Sequence, residues 1–236
     1  MHIKDSVALV TGANRGLGLA FTQALRAAGA RKVYAAARDP ASITQPGVEA
    51  IRLDVTSPEE VAAAAKALGD VTLVINNAGI SRGTGFLGDD GLPAVRAEFE
   101  TNFFGPLVVA RAFAPVLARN GGGAIVNVLS VLSWLSIPSA ATYSASKSAA
   151  WSLSNGLRNE LRGQGTQVLS LHVGYMDTDM TRHLTAPKVL PEDVAAQALA
   201  ALEAGKSEVL ADEVSRRVKQ TLSAEPGVYL AAPGSA

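Results

Sequence analysis

Short β-branched runs alternate with longer alanine-rich stretches along nearly the whole chain, and this alternation restricts the fold more than any other feature. Strands are expected at 6–10, 33–37, 48–53, 71–75, 124–128 and 167–173, with a short seventh at 208–210. Helices are expected at 17–28, 99–117, 142–161 and 213–222, with further starts at Ser57 and Pro191. Ser57-Pro58-Glu59-Glu60 joins a capping hydroxyl, a proline suited to the first turn and two acids facing the helix dipole. Runs such as VALV and VTLVIN are apolar throughout, so each strand buries both faces. The pattern predicts an α/β fold: one doubly wound parallel sheet with helices on both faces. Such sheets bind ligands beyond the carboxyl ends of their strands, at the switch in strand order. The expected division is a single domain over 1–224 and a disordered tail over 225–236.

The composition narrows the function. Lys plus Arg and Asp plus Glu number 21 each, with no basic stripe, so a nucleic-acid partner is not expected. The chain has no cysteine, which excludes disulfides and thiolate metal sites and fits the cytoplasm. His2 and His183 have no partner at ligand spacing, and no metal is expected. The first apolar run, VALV, is too short for a signal peptide or a membrane span, and no membrane association is expected.

Thr11-Gly12-Ala13-Asn14-Arg15-Gly16-Leu17-Gly18 joins the first strand to the first helix. Glycines in such a turn let a pyrophosphate reach backbone N–H groups at a helix N-terminus. The turn, through Gly12, Asn14, Arg15, Gly16, Leu17 and Gly18, is therefore the expected dinucleotide cradle, or else a tight turn with packing glycines. An acid ending the second strand would mark NAD. That place holds Ala37 followed by Arg38. Arg15 and Arg38 together suit a 2′-phosphate, so NADP(H) is the expected cofactor, unless both are solvated surface arginines. Asp54, with Val55, is placed for the adenine; Asp54 also suits a helix-entry cap.

Tyr143-Ser144-Ala145-Ser146-Lys147 places a phenol and an ammonium four residues apart on one helical face. Ser130 stands at the end of the fifth strand, and Asn102 interrupts an otherwise apolar helix. With TGANRGLG at 11–18, LDV at 53–55, NNAG at 76–79 and YSASK at 143–147, the chain resembles the short-chain dehydrogenase/reductase family over roughly residues 5–180. The resemblance implies a Rossmann-like sheet, a nicotinamide cofactor and a catalytic group of Asn102, Ser130, Tyr143 and Lys147. It further implies that Asn76, Asn77, Ala78 and Gly79 line the cofactor ribose, alongside Tyr143 and Lys147. Gly174, the Met176 N–H and Thr178 are implied at the nicotinamide. Two departures stand out: Val173-Gly174 replaces the usual Pro-Gly, and the family's C-terminal Val-Asp-Gly-Gly gives way to Glu208-Val209-Leu210-Ala211-Asp212.

A neighbouring ammonium should stabilise the phenolate of Tyr143 and lower its pKa by up to about three units. Tyr143 would then exchange a proton with the substrate oxygen while Ser130 bonds the developing oxyanion. His172 is expected to be a core histidine. Trp134, Leu135 and Tyr175 are either walls of an apolar or aromatic substrate pocket or packing residues. The expected protein is a carbonyl reductase acting on a small carbonyl or alcohol, and a homodimer or homotetramer paired through the helices at 99–117 and 142–161. The alternative is a redox-sensing regulator that binds NADP without turnover; such proteins commonly lack the tyrosine or the lysine, and both are present here.

Overall fold

In a computed structural model that describes residues 1–230, seven parallel strands form one sheet in the order β3-β2-β1-β4-β5-β6-β7. The strands are β1 (Val7–Thr11), β2 (Lys32–Ala37), β3 (Glu49–Arg52), β4 (Leu73–Asn76), β5 (Ala124–Val128), β6 (Gln167–His172) and β7 (Glu208–Leu210). The helices are α1 (Gly16–Ala27), α2 (Pro58–Ala67), α3 (Gly91–Phe99), α4 (Gly105–Arg119), α5 (Ala141–Glu160), α6 (Pro191–Glu203) and α7 (Glu213–Gln220). This is the doubly wound, Rossmann-like arrangement that the alternation predicts.

Period-two burial explains the two layers. Ala8 and Val10 of β1 face a core built with Phe21 and Leu25 of α1 and Leu199 and Leu202 of α6. Val7 and Leu9 face the other core, with Val61 of α2, Phe113 and Leu117 of α4 and Leu157 of α5. A smaller cluster of Val131, Trp134 and Val218 closes the β7 end of the sheet. Strand order reverses between β1 and β4, which places the crevice for a ligand beyond Thr11 and Asn76.

The expected helix at 99–117 begins earlier and is interrupted. Gly91–Phe99 forms α3, Glu100–Phe104 a single π turn, and α4 follows. A π turn carries one residue more than an α turn and often marks a functional site; here it holds Asn102. By length and composition alone, Gly91–Arg119 could cross a membrane. Val109, Phe113 and Leu117 within it pack in the sheet's core. Of the expected tail, Val228–Leu230 form a short 3₁₀ turn with Val228 against the Trp134 cluster. Residues 231–236 of that tail lie outside the described residues.

Candidate active site

The glycine turn is tied to the end of β4 by side chains. Thr11 Oγ1 accepts from the Asn77 and Ala78 N–H groups at 3.0 and 3.1 Å. The Asn77 amide nitrogen donates to the Thr11 and Gly12 carbonyls at 2.9 and 3.1 Å. Asn76 donates to Asn127 at 2.8 Å, stitching β4 to β5. Asn76 and Asn77 therefore spend their amide nitrogens on the frame of the crevice. Gly12 turns at φ +63°, where a side chain is strained, and a Cβ on Gly18 would stand 2.1 Å from the Gly12 carbonyl oxygen. Gly16 touches Thr178, where a Cβ would meet the threonine methyl at 3.2 Å. The Arg15 side chain does not cap α1, and the first turn of α1 carries no acid. Its leading N–H groups and the positive end of its dipole are open to an anion.

At the adenosine end the two arginines part company. Arg15 reaches across to Asp179 at 3.3 Å, and Arg182 pairs with the same carboxylate. Among the described residues the Arg38 guanidinium has no ion-pair partner, and Asp39 caps the following turn through Ala41. The convergence expected of Arg15 and Arg38 is thus replaced by one available cation, Arg38. Asp54 Oδ1 accepts from the Thr56 N–H and hydroxyl at 3.0 and 2.8 Å, which is the capping role. Partial burial raises its pKa, but those bonds and the charges of Arg38 and Arg52 outweigh burial and hold it below the ordinary aspartate value. Val55, beside it, is buried against Gly105.

The proposed catalytic residues come from three separate elements. Tyr143 and Lys147 project from α5, Asn102 from the π turn, and Ser130 from the end of β5. Lys147 is buried and donates to the Val128 carbonyl at 2.8 Å. The Asn102 amide is fixed on both sides. Its oxygen accepts from Ile80 N–H at 2.9 Å, and its nitrogen donates to the Ile80 carbonyl at 2.9 Å and to Ser146 Oγ at 3.0 Å. Gly79 lies between them: a Cβ there would come 3.2 Å from Asn102 Oδ1 and 3.7 Å from Lys147 Nζ. Ser130 Oγ accepts from the Leu132 N–H at 3.1 Å, so the hydroxyl proton remains to be donated.

One electrostatic expectation is overturned. Lys147 Nζ is 5.6 Å from the Tyr143 ring centre, yet the phenol is not made more acidic. Burial pushes Tyr143 up to about 12; the Ser130 hydroxyl beside it pulls the other way, and the carboxylate of Glu98 raises it further. Burial also draws Lys147 down to about 8. Both groups are governed by desolvation, which disfavours each charged form, rather than by their mutual attraction. At neutral pH the phenol keeps its proton and the lysine its charge.

After β6, Met176 forms a bridge with Val189 whose hydrogen bonds run from Asp177 N–H to the Val189 carbonyl and from Val189 N–H to the Tyr175 carbonyl. That bridge leaves the Met176 N–H unused and pins both ends of the short segment over the crevice. Gly174 N–H donates to Asp212 Oδ2, and a Cβ on Gly174 would meet that oxygen at 2.9 Å. Asp212, which caps α7 through Ser215 N–H at 2.7 Å, was not foreseen; its contact with Gly174 is 38 residues distant in sequence. Trp134 is buried, stacked on His172 at 3.9 Å and set edge-on to Trp151, a packing role with only one edge open. That edge and Leu135 line a hollow of about 360 Å³ with Phe86 and Tyr229, on the flank of α5 marked by Ser144 and Ser148 rather than over Tyr143. Tyr175 is exposed.

The bare-backbone cradle at Gly12 and Gly18, the open N-terminus of α1 and the gap at Gly79 beside Lys147 fit a dinucleotide lying along the strand ends. Comparison with known proteins agrees with that fit. A short-chain dehydrogenase family model matches residues 6–188. The 1-deoxy-11-beta-hydroxypentalenate dehydrogenase of Streptomyces exfoliatus is 37% identical over 216 residues, covering 83% of this chain and 78% of that one. A short-chain dehydrogenase of Burkholderia cenocepacia J2315, solved in complex with NADP, is 43% identical over 96% of both chains with a TM-score of 0.92. A relative from Burkholderia phymatum, solved with NAD, is 25% identical over 94% of both chains with a TM-score of 0.82. Strands β1 to β6, the glycine turn and the Tyr143–Lys147 pair all lie within the matched span, and the chain belongs to the short-chain dehydrogenase/reductase family of oxidoreductases.

Proposed function

We propose that this protein is an NADP(H)-dependent carbonyl reductase that interconverts a ketone or aldehyde and its alcohol. The observation that carries this reading is the meeting of Tyr143, Ser130, Lys147 and Asn102 beside the glycine cradle. Gly12, Asn14, Gly16, Leu17 and Gly18 would hold the pyrophosphate, Asp54 and Val55 the adenine, and Asn77, Ala78 and Gly79 the ribose. Arg38 would take the 2′-phosphate, with Arg15 joining once it leaves Asp179. Gly174, the Met176 N–H and Thr178 would orient the nicotinamide. The bound cofactor supplies or takes up the hydride.

The chain's own part is to manage the proton and the oxygen's charge. Tyr143 holds its proton at neutral pH and delivers it to the carbonyl oxygen; in the reverse direction the phenolate that this delivery leaves is the form that takes the proton from the alcohol. Ser130, whose hydroxyl sits beside the phenol and accepts only from the Leu132 N–H, would turn its hydrogen to the same oxygen as negative charge develops. Lys147 would hold the cofactor's ribose and is suited to return a proton toward Tyr143 by its value of about 8, close to neutrality. Asn102 supports a water that connects the lysine to solvent.

The NADP preference is supported by Ala37 and the available Arg38, and by the relative solved with NADP. The relative solved with NAD is the less similar of the two. An apolar or aromatic substrate fits the exposed Tyr175 and Met180 of the segment that follows β6, and the short segment from 178 to 191 suits an open, tolerant pocket. A cytoplasmic homodimer or homotetramer completes the reading. The test is a panel of aldehydes, ketones and secondary alcohols followed by NADPH absorbance. Turnover of several bulky carbonyl compounds is expected; NADPH binding with no turnover across the panel would instead favour the regulator.

A further inference from the structure

His172 is fully buried at the end of β6, where a hydrophobic residue would cost less. Its ring touches three elements at once. Nδ1 lies 3.1 Å from the backbone carbonyl of Ser130, which also accepts the Ser133 N–H at 3.0 Å. The ring face stacks on Trp134 at 3.9 Å, with the planes 17° apart. Nε2 stands 3.6 Å from Glu208 Oε1, which Lys219 of α7 holds at 3.1 Å. Lys219 in turn lies over the rings of Trp134 and Trp151 at 4.8 and 5.6 Å.

A carbonyl oxygen can only accept, so Nδ1 carries the hydrogen. Burial outweighs the attraction of Glu208 and keeps the imidazole neutral, pushed down to about 4, with Lys219 and Lys147 also opposing a positive charge. Nε2 is therefore bare and has no hydrogen-bond donor among the described residues. A buried histidine with one satisfied nitrogen is poor packing material. Its surroundings make sense if the satisfied nitrogen is the one that matters.

We propose that His172 is a positioning residue for the reaction: held by the stack on Trp134, over which Lys219 of α7 lies, it fixes the Ser130 carbonyl and so sets the turn that aims the Ser130 hydroxyl. The ladder between β5 and β6 continues on either side, through Leu129 N–H to Leu171 at 2.7 Å and Val131 N–H to Val173 at 3.0 Å. Ser130 is the residue between those two bonds, and its carbonyl, left out of the ladder, is the one His172 takes. The segment after residue 205 thereby becomes part of the catalytic frame, through Lys219 over the Trp134 ring that backs His172 and through Asp212 toward Gly174.

This inference rests on the assignment of Ser130 as the hydroxyl that bonds the substrate oxygen, and a double-mutant cycle separates the two. Ser130→Ala, His172→Phe and the pair are compared in kcat and KM with NADPH and a carbonyl substrate, with His172→Asn as a fourth variant. Phenylalanine keeps the flat ring against Trp134 but lacks the donor; the asparagine amide restores a donor near Nδ1. The chain's two tryptophans both sit in this cluster, so an unchanged emission maximum verifies that the stack persists in His172→Phe. His172→Phe should lower kcat about tenfold, part of what a whole oxyanion donor supplies, with KM little changed. It should have no further effect once Ser130 is alanine, and His172→Asn should recover most of the rate. Normal kcat in His172→Phe, or a loss that adds in full to that of Ser130→Ala, overturns the positioning role. If Ser130→Ala itself turns over normally, the assignment of Ser130 fails and this inference falls with it.

Discussion

Replacing Lys147 by methionine should make the protein more stable at neutral pH while abolishing its activity. The ammonium is buried, with its pKa drawn from 10.5 to about 8. Below pH 8 both the folded and unfolded chains hold the proton, and the folded state bears the whole cost of the buried charge. At 1.36 kcal/mol per pH unit that cost is on the order of 3 kcal/mol. Methionine has similar length and no charge, but it leaves the Val128 carbonyl without its 2.8 Å partner, a loss of about 1–3 kcal/mol. The net gain is about 1–2 kcal/mol at pH 7, or roughly 3–6 °C in Tm for a chain of this size. Between pH 8 and 10.5 the unfolded chain keeps a proton that the folded one sheds, so the wild-type protein gains stability as pH rises. The advantage of the variant should therefore vanish by about pH 9.5, still below the range in which Tyr143 ionisation in the unfolded state works the other way. Calorimetric unfolding of both proteins without cofactor at pH 7 and 9.5 measures this. A variant less stable at pH 7, or a difference independent of pH, would refute the claim that desolvation governs this lysine.

Further outcomes concern the cradle, the cofactor and assembly. Gly18→Ala forces a methyl within 2.1 Å of the Gly12 carbonyl; NADPH affinity measured by titration should fall by at least tenfold, and unchanged binding would contradict the cradle geometry. Arg38→Asp should lower kcat/KM for NADPH and raise it for NADH, whereas equal use of both cofactors by the unmodified protein would remove the NADP assignment. Light scattering at micromolar concentration should give a dimer or tetramer, and a monomer would exclude pairing through α4 and α5.

What the sequence disclosed is local, and what it concealed is long-range. The strands and the glycine turn were legible because period-two burial and the left-handed Gly12 are written in neighbouring residues. Tyr143 and Lys147 were legible because their spacing is one helical turn. The helix at Gly91–Phe99 was not expected: it opens on Gly91 and carries Pro93 in its first turn, where proline is at home although it breaks a helical pattern elsewhere. The extra residue of the π turn at Asn102 has no sequence mark. Arg15 was assigned to a phosphate without knowledge of Asp179, which lies 164 residues away. The phenol's shift was given the wrong sign because spacing reveals the lysine's proximity but not the burial of both groups. His172 was expected in the core and lies there, but its bond to the Ser130 carbonyl, 42 positions distant, was not legible, and Asp212 escaped for the same reason, since it reaches Gly174 38 positions away.

The central claim is that Tyr143 exchanges the proton with the substrate oxygen. Tyr143→Phe preserves the ring and its packing and removes that one group. Single-turnover reduction of a good carbonyl substrate by prebound NADPH isolates the chemical step, and a cofactor titration on the same variant separates chemistry from binding. The account predicts a rate lower by at least about a hundredfold, within the range of general acid catalysis, with NADPH affinity nearly unchanged. A variant that reduces the substrate at close to the normal single-turnover rate would contradict it.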